Sequence, residues 1–169
     1  MPPRWTSVPF ALFVLAELDH ETINAILKDA QSQPGLNFPS LWLATQDYNE
    51  APKKEANRSN QGTAPPISDS FNSPFVGQRV EEVAKWLKQK PDTADLDGHH
   101  FAIIDRISGE DKSIIVCKIG DKDLQGDKVD YRRYLARRAS TMLQGLEYGE
   151  WEEIHRNPTD TKIQYGSDC

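Results

Sequence analysis

Two apolar runs near the middle of the chain, Phe101–Asp105 (FAIID) and Ser113–Ile119 (SIIVCKI), do not alternate with polar residues. A strand wetted on one face alternates with period two, while one covered on both faces reads as a continuous apolar run. Both runs are therefore expected inside a sheet. The polar stretch between them (RISGEDK) is short and holds Gly109, which predicts a turn and an antiparallel pair within His99–Gly120.

A third continuous run, Phe10–Leu18 (FALFVLAEL), predicts another interior strand. Asp19 follows at a helix N-cap position, and Ile23, Ile26, Leu27 and Ala30 recur at helical spacing up to Pro34-Gly35. Ser40–Thr45 (SLWLAT) reads as the next strand. Strand, helix, strand in this order predicts a βαβ unit with parallel strands and a right-handed crossover. The stretch Asp47–Ser73 is rich in Asn, Ser, Pro and Lys and poor in large apolar residues. It reads as a solvated, mobile insert, able to serve as a lid or binding loop. Ser73-Pro74 predicts a helix start, with Val80, Val83, Ala84 and Leu87 as the buried stripe and an end near Lys90-Pro91. Asp130 is placed as the cap of a last helix from Tyr131 to about Gln144, with Leu135, Ala139, Met142, Leu143 and Leu146 on one face. The expectation is one α/β (or α+β) domain over residues 8–157, with a disordered tail at 158–169. Its sheet is mixed, of four to five strands, with about three helices packed on it.

Composition adds limits. The chain has 169 residues and a net charge of −6, which disfavours general attraction to nucleic acid or to an anionic membrane. No run approaches the length of a membrane span. Of the two cysteines, Cys117 falls in an apolar strand, where a thiol is a poor nucleophile, and Cys169 ends the chain. No structural disulfide is expected, which fits a cytoplasmic location. The alternative is secretion. Arg4 and Val8–Ala16 resemble a short signal peptide within Met1–Ala16, and Asn57-Arg58-Ser59 is a glycosylation acceptor pattern.

The candidate chemistry falls into three groups. His99 and His100 stand at a strand entrance, where a histidine oriented by Asp97 or Asp105 is a general base; rim hydrogen bonding is the competing reading. Glu17, Asp19, His20 and Glu21 end the first strand, and Asp47 and Tyr48 follow the second. They could share a crevice at the carboxyl ends of parallel strands, and even hold a metal, although helix capping explains Asp19 and Glu21 better. Tyr131, Arg132, Arg133, Arg137 and Arg138 crowd the last helix, where Arg133 and Arg137 at i, i+4 suit an anion; a solvated charged face is the alternative. Glycine-rich phosphate loops, HExxH and paired CxxC motifs do not occur, so neither a metal nor another cofactor is expected.

The segment Phe101–Glu153, with FAIID, SIIVCKI, YRRYL and the ending LEYGEWEEI, resembles a small uncharacterised domain family of fungi and bacteria. The resemblance implies an α/β fold and transfers no catalytic residue. The expected function is that of a non-catalytic binding or accessory protein for a small anionic ligand or a protein partner. The alternative is a small metal-independent isomerase, cyclase or hydrolase with a His/Asp pair.

Overall fold

The computed structural model describes residues 9–32, 40–53, 62–119 and 129–145. Within them Phe10–Val14 (β1), Leu41–Leu43 (β2), His100–Ile104 (β3), Ser113–Ile119 (β4) and Val129–Leu135 (β5) form one mixed sheet, ordered β2-β1-β3-β4-β5. Strand β1 runs parallel to both β2 and β3; β4 and β5 are antiparallel additions. The described helices are His20–Ala30 (α1), Val80–Lys88 (α2), Arg106–Asp111 (α3) and Ala136–Gly145 (α4).

The continuous apolar runs have the expected cause. Phe10, Leu12 and Val14 join one core with Ile23, Ile26 and Leu27 of α1 and Ala139 and Leu143 of α4. Ala11 and Phe13 join a second core with Val80, Val83 and Leu87 of α2. Every residue of β1 is at most 2% exposed, so neither face has a use for polar side chains. Phe13 contacts Phe75, Trp86 and Phe101 edge to face at 5.0–5.7 Å, the arrangement ring quadrupoles favour.

Four expectations change. The link between β3 and β4 is not a bare turn but the short helix α3, although the two strands do pair antiparallel. Asp105 and Ser108 cap it reciprocally: the Ser108 amide donates to Asp105 Oδ1 and the Asp105 amide to Ser108 Oγ, each at 3.0 Å. The next helix begins after Arg79, not at Ser73-Pro74. Ser73 instead donates its hydroxyl to the Val14 carbonyl at 2.6 Å, and Gly77 takes φ +84°, a left-handed conformation that a continuing helix excludes.

The third change concerns the arginine-rich segment. Residues 129–135 are the strand β5, paired with β4 from Ser113↔Leu135 to Ile119↔Val129, and α4 starts only at Ala136. Asp130 therefore lies in a strand and caps nothing. Arg133 and Arg137 are on different elements, so their helical spacing has no meaning.

The fourth is the supposed insert. In its described parts, 47–53 and 62–73, it packs down. The Thr63 amide donates to the Leu41 carbonyl at 2.7 Å and its hydroxyl accepts from the Leu43 amide, so Thr63 covers the free edge of β2. Ile67 is buried, and its amide donates to Asn24 Oδ1 at 2.7 Å. The expected tail and the residues Leu146 and Cys169 lie outside the described residues.

Candidate functional site

From β1 the chain crosses one face of the sheet through α1 to β2, then the other face through α2 to β3 on the far side of β1. That reversal opens a crevice outside the carboxyl ends of the parallel strands. Here residues 68–77 cover it. Three hydrogen bonds pin the cover: His20 Nε2 donates to the Phe71 carbonyl at 2.7 Å, Ser73 Oγ to the Val14 carbonyl, and the Gly77 amide to the Leu15 carbonyl at 3.1 Å.

Among the described residues, hollows lie beneath and beside the cover, and two of them share a wall. The first, about 230 Å³, is lined by Glu17, Leu18, His20, Ile23 and Ser73, among others. The second, about 500 Å³, is lined by Thr45, Gln46, Asp47, Glu50, Ser68 and Ser70. Phe71 and Asn72 line both and form the wall between them. The Thr45 hydroxyl is buried beside the second hollow with no hydrogen-bond partner among the described residues. The site thus offers hydroxyls, an amide and carboxylates around one aromatic ring, a set suited to holding a polar molecule.

Asp19 does not line this crevice. Its carboxylate accepts from the Thr22 amide at 2.7 Å as the cap of α1, and that hydrogen bonding holds its pKa below the usual range. Asp47 lines the second hollow while also accepting from the Asn49 amide at 2.9 Å. Tyr48 is directed elsewhere: its ring stacks on Trp86 with centroids 4.3 Å apart, and its hydroxyl donates to the Trp86 carbonyl. Burial pushes that phenol up in pKa.

The histidine group lies at the opposite end of the sheet. Asp97 Oδ1 accepts from the amides of His99 and His100 at 2.8 and 2.9 Å and contacts His100 Nδ1 at 3.3 Å. Burial works to raise the Asp97 pKa, but these bonds and the nearby imidazole outweigh it and leave the carboxyl below its ordinary value. His100 Nε2 is buried without a partner among the described residues, so it does not face solvent as a general base must. His99 is exposed. Asp105 follows the last residue of β3, about 16 Å from His100 at 3.3 Å per residue, and orients neither histidine. It is fully buried and bound by Arg133: Nη2 to Oδ2 at 2.6 Å, Nη1 to Oδ1 at 3.0 Å, and Nη1 to Ser113 Oγ at 2.7 Å.

The aromatic and basic residues of the last segment disperse. Tyr131 packs with Val129 against the core that holds Cys117, whose thiol burial pushes well up in pKa. Arg133 is engaged with Asp105. Arg132 lies over the Tyr134 ring, 5.8 Å from its centroid, on the other face of β5. Arg137 and Arg138 are exposed on the first turn of α4.

Sequence reasoning brought His20 and Asp47 to one end of the sheet through the βαβ reading. It missed Thr45, Glu50, Phe71, Asn72 and Ser73. For all of these but Thr45 the signal was the unusual length of the 47–73 connection, which marks functional loops as well as mobile ones. Among the described residues no group of three His, Cys, Asp or Glu side chains is placed to hold a metal ion, and no helix is long and apolar enough to cross a membrane. No protein-family model, curated protein or solved structure matches the chain.

Proposed function

We propose that the protein is a non-catalytic binding protein that takes a small polar molecule in the covered crevice at the carboxyl ends of β1 and β2. The observation that carries this reading is the pair of hollows divided by Phe71 and Asn72, at the edge where sheets of this topology receive ligands. Glu17, Asp47 and Glu50 line them and disfavour an anion, so the expected occupant is neutral or cationic. The small anion expected from the arginines needs a different seat.

A cytoplasmic location accords with this reading. Cleavage after Ala16 would remove β1, which pairs with both β2 and β3. The resemblance of Phe101–Glu153 to a domain family without assigned activity adds no residue roles.

The enzyme alternative rests on the Asp97–His100 contact, and that pair is remote from the crevice. A single comparison separates the two readings. Native mass spectrometry of the purified chain should show a retained small molecule, or a metabolite panel should raise the melting temperature. Asn72→Ala should reduce that response and His100→Ala should leave it unchanged. Loss of the response in His100→Ala but not in Asn72→Ala would move the site to the other end of the sheet and sink the proposal.

A further inference from the structure

The sheet has two edges, and the chain treats them differently. Strand β2 is three residues long, and Thr63 hydrogen-bonds its free side. Strand β5 is seven residues long, holds no proline and keeps one register with β4 throughout, so it has no bulge. Among the described residues no strand lies beyond it. Which backbone groups it turns outward follows from the ladder. The Ile119 amide donates to the His99 carbonyl, so Ile115, Cys117 and Ile119 bond to β3, and Ile114, Val116 and Lys118 bond to β5. The Ala136 amide, on the Lys112 carbonyl at 2.8 Å, keeps the same parity. Asp130, Arg132 and Tyr134 therefore bond to β4, while Val129, Tyr131, Arg133 and Leu135 turn their amides and carbonyls to the outer side.

An open edge is a template for a further strand, and natural edges discourage one by shortness, bulges, proline or charges of one sign. Strand β5 uses none of these. Its charges have both signs, with Asp130 and Arg132 two residues apart on one face. That spacing makes the strand complementary to itself. When two copies pair antiparallel about a two-fold axis at Tyr131, Asp130 of each stands opposite Arg132 of the other. These are non-hydrogen-bonded positions, where side chains come closest. An axis at Asp130, Arg132 or Arg133 instead sets each of those charges against its own copy, and like charges directly opposite destabilise a pair. We propose that the outer edge of β5 is a dimer interface, at which two copies of this chain pair antiparallel about Tyr131 and join their five-stranded sheets into one. The Tyr131 amide and carbonyl bond reciprocally with those of Tyr131 in the second copy, and the ladder continues through Val129 on either side. Arg132 gives up no contact in this arrangement: it stays over the Tyr134 ring, and the register alone brings Asp130 of the second copy beside it. Helix α4 turns back over α1 and β4 rather than along the outer edge.

Sedimentation equilibrium of the full chain tests this first. The chain should show a monomer–dimer balance, and one that stays monomeric up to millimolar concentration overturns the proposal. Asp130→Arg, at an exposed position, should raise the dimer dissociation constant about tenfold, the scale of two opposite-charge pairs lost. An unchanged constant in that variant overturns the proposal. A distance measurement fixes the register, and it decides alone should Asp130→Arg fail to fold. Leu135→Cys carries a nitroxide label in a chain with Cys169→Ser, while Cys117 is buried and stays unlabelled. Leu135 lies four residues from the proposed axis, so pulsed electron resonance should find the two labels about 27 Å apart, at roughly 3.4 Å per residue. A separation of about 20 Å puts the axis at Arg132, and one of about 34 Å puts it at Asp130. Either value overturns the proposal, as does a dimer that gives no defined distance between the labels.

Discussion

Asp105 has no exposed surface, yet it carries a carboxylate. It is tolerated because Arg133 meets both its oxygens and Ser108 supplies an amide and a hydroxyl at 3.0 and 2.9 Å. Desolvating a charge costs several kcal/mol, and a buried pair is stable only while each partner stays matched. Arg133→Met should therefore destabilise the chain by about 3–5 kcal/mol, since it strands a buried charge. Adding Asp105→Asn to Arg133→Met should recover part of that loss, giving a coupling of about 1 kcal/mol or more in a double-mutant cycle. Urea denaturation of the four chains measures it, and additive effects would show that the two side chains do not stabilise one another. Both residues stood out in the sequence, one as a catalytic orienter and the other as an anion ligand. Their real relation was not legible there. They are 28 positions apart and meet across β4, and no spacing rule anticipates a contact made by two successive antiparallel strands.

The same pair explains why an entire element was misread. Val129, Tyr131, Arg133 and Leu135 occupy one face of β5, and the pattern would show as a half-buried strand if Arg133 were apolar. Because that position holds an arginine matched by Asp105, the period-two signal disappears. What is left is a helical stripe that starts at Leu135, a residue 45% exposed and outside both cores. The delayed start of α2 has a different origin, in Gly77. Its φ of +84° lets residues 74–77 turn so that Phe75 is buried against Phe13 and Trp86. A Cβ at Gly77 meets nothing within 4 Å, so Gly77→Ala tests backbone conformation alone. It should cost about 1 kcal/mol from left-handed strain, read as a lowered denaturation midpoint with an unchanged slope. A neutral result would mean that the turn relaxes to negative φ without loss. By contrast the stripes of α1 and α2 were legible, since their buried residues are those that helical periodicity selects.

For the molecule as a whole, two kinds of bond meet at Leu15. Its amide donates to the Ile104 carbonyl at 2.9 Å and continues the pairing of β1 with β3. Its carbonyl accepts from the Gly77 amide at 3.1 Å and belongs to the cover. The central strands were readable because burial on both faces forces an unbroken apolar run. The cover was not, because short polar residues hold it through hydrogen bonds to backbone, and such bonds leave no periodic trace. This difference predicts a difference in dynamics. Opening β1 from β3 exposes both cores, whereas lifting residues 68–77 breaks a few bonds and uncovers mainly the environment of Phe71 and Phe75. Native-state hydrogen exchange should therefore find the Leu15 amide exchanging only with global unfolding and strongly sped by denaturant. The Gly77 amide should exchange faster, through a local opening that denaturant barely affects. A ligand that fills the crevice should slow Gly77 and leave Leu15 governed by global stability. If instead both amides exchange together at every denaturant concentration, the cover is part of the cooperative core. A crevice that admits its ligand by lifting that cover would then have no physical basis.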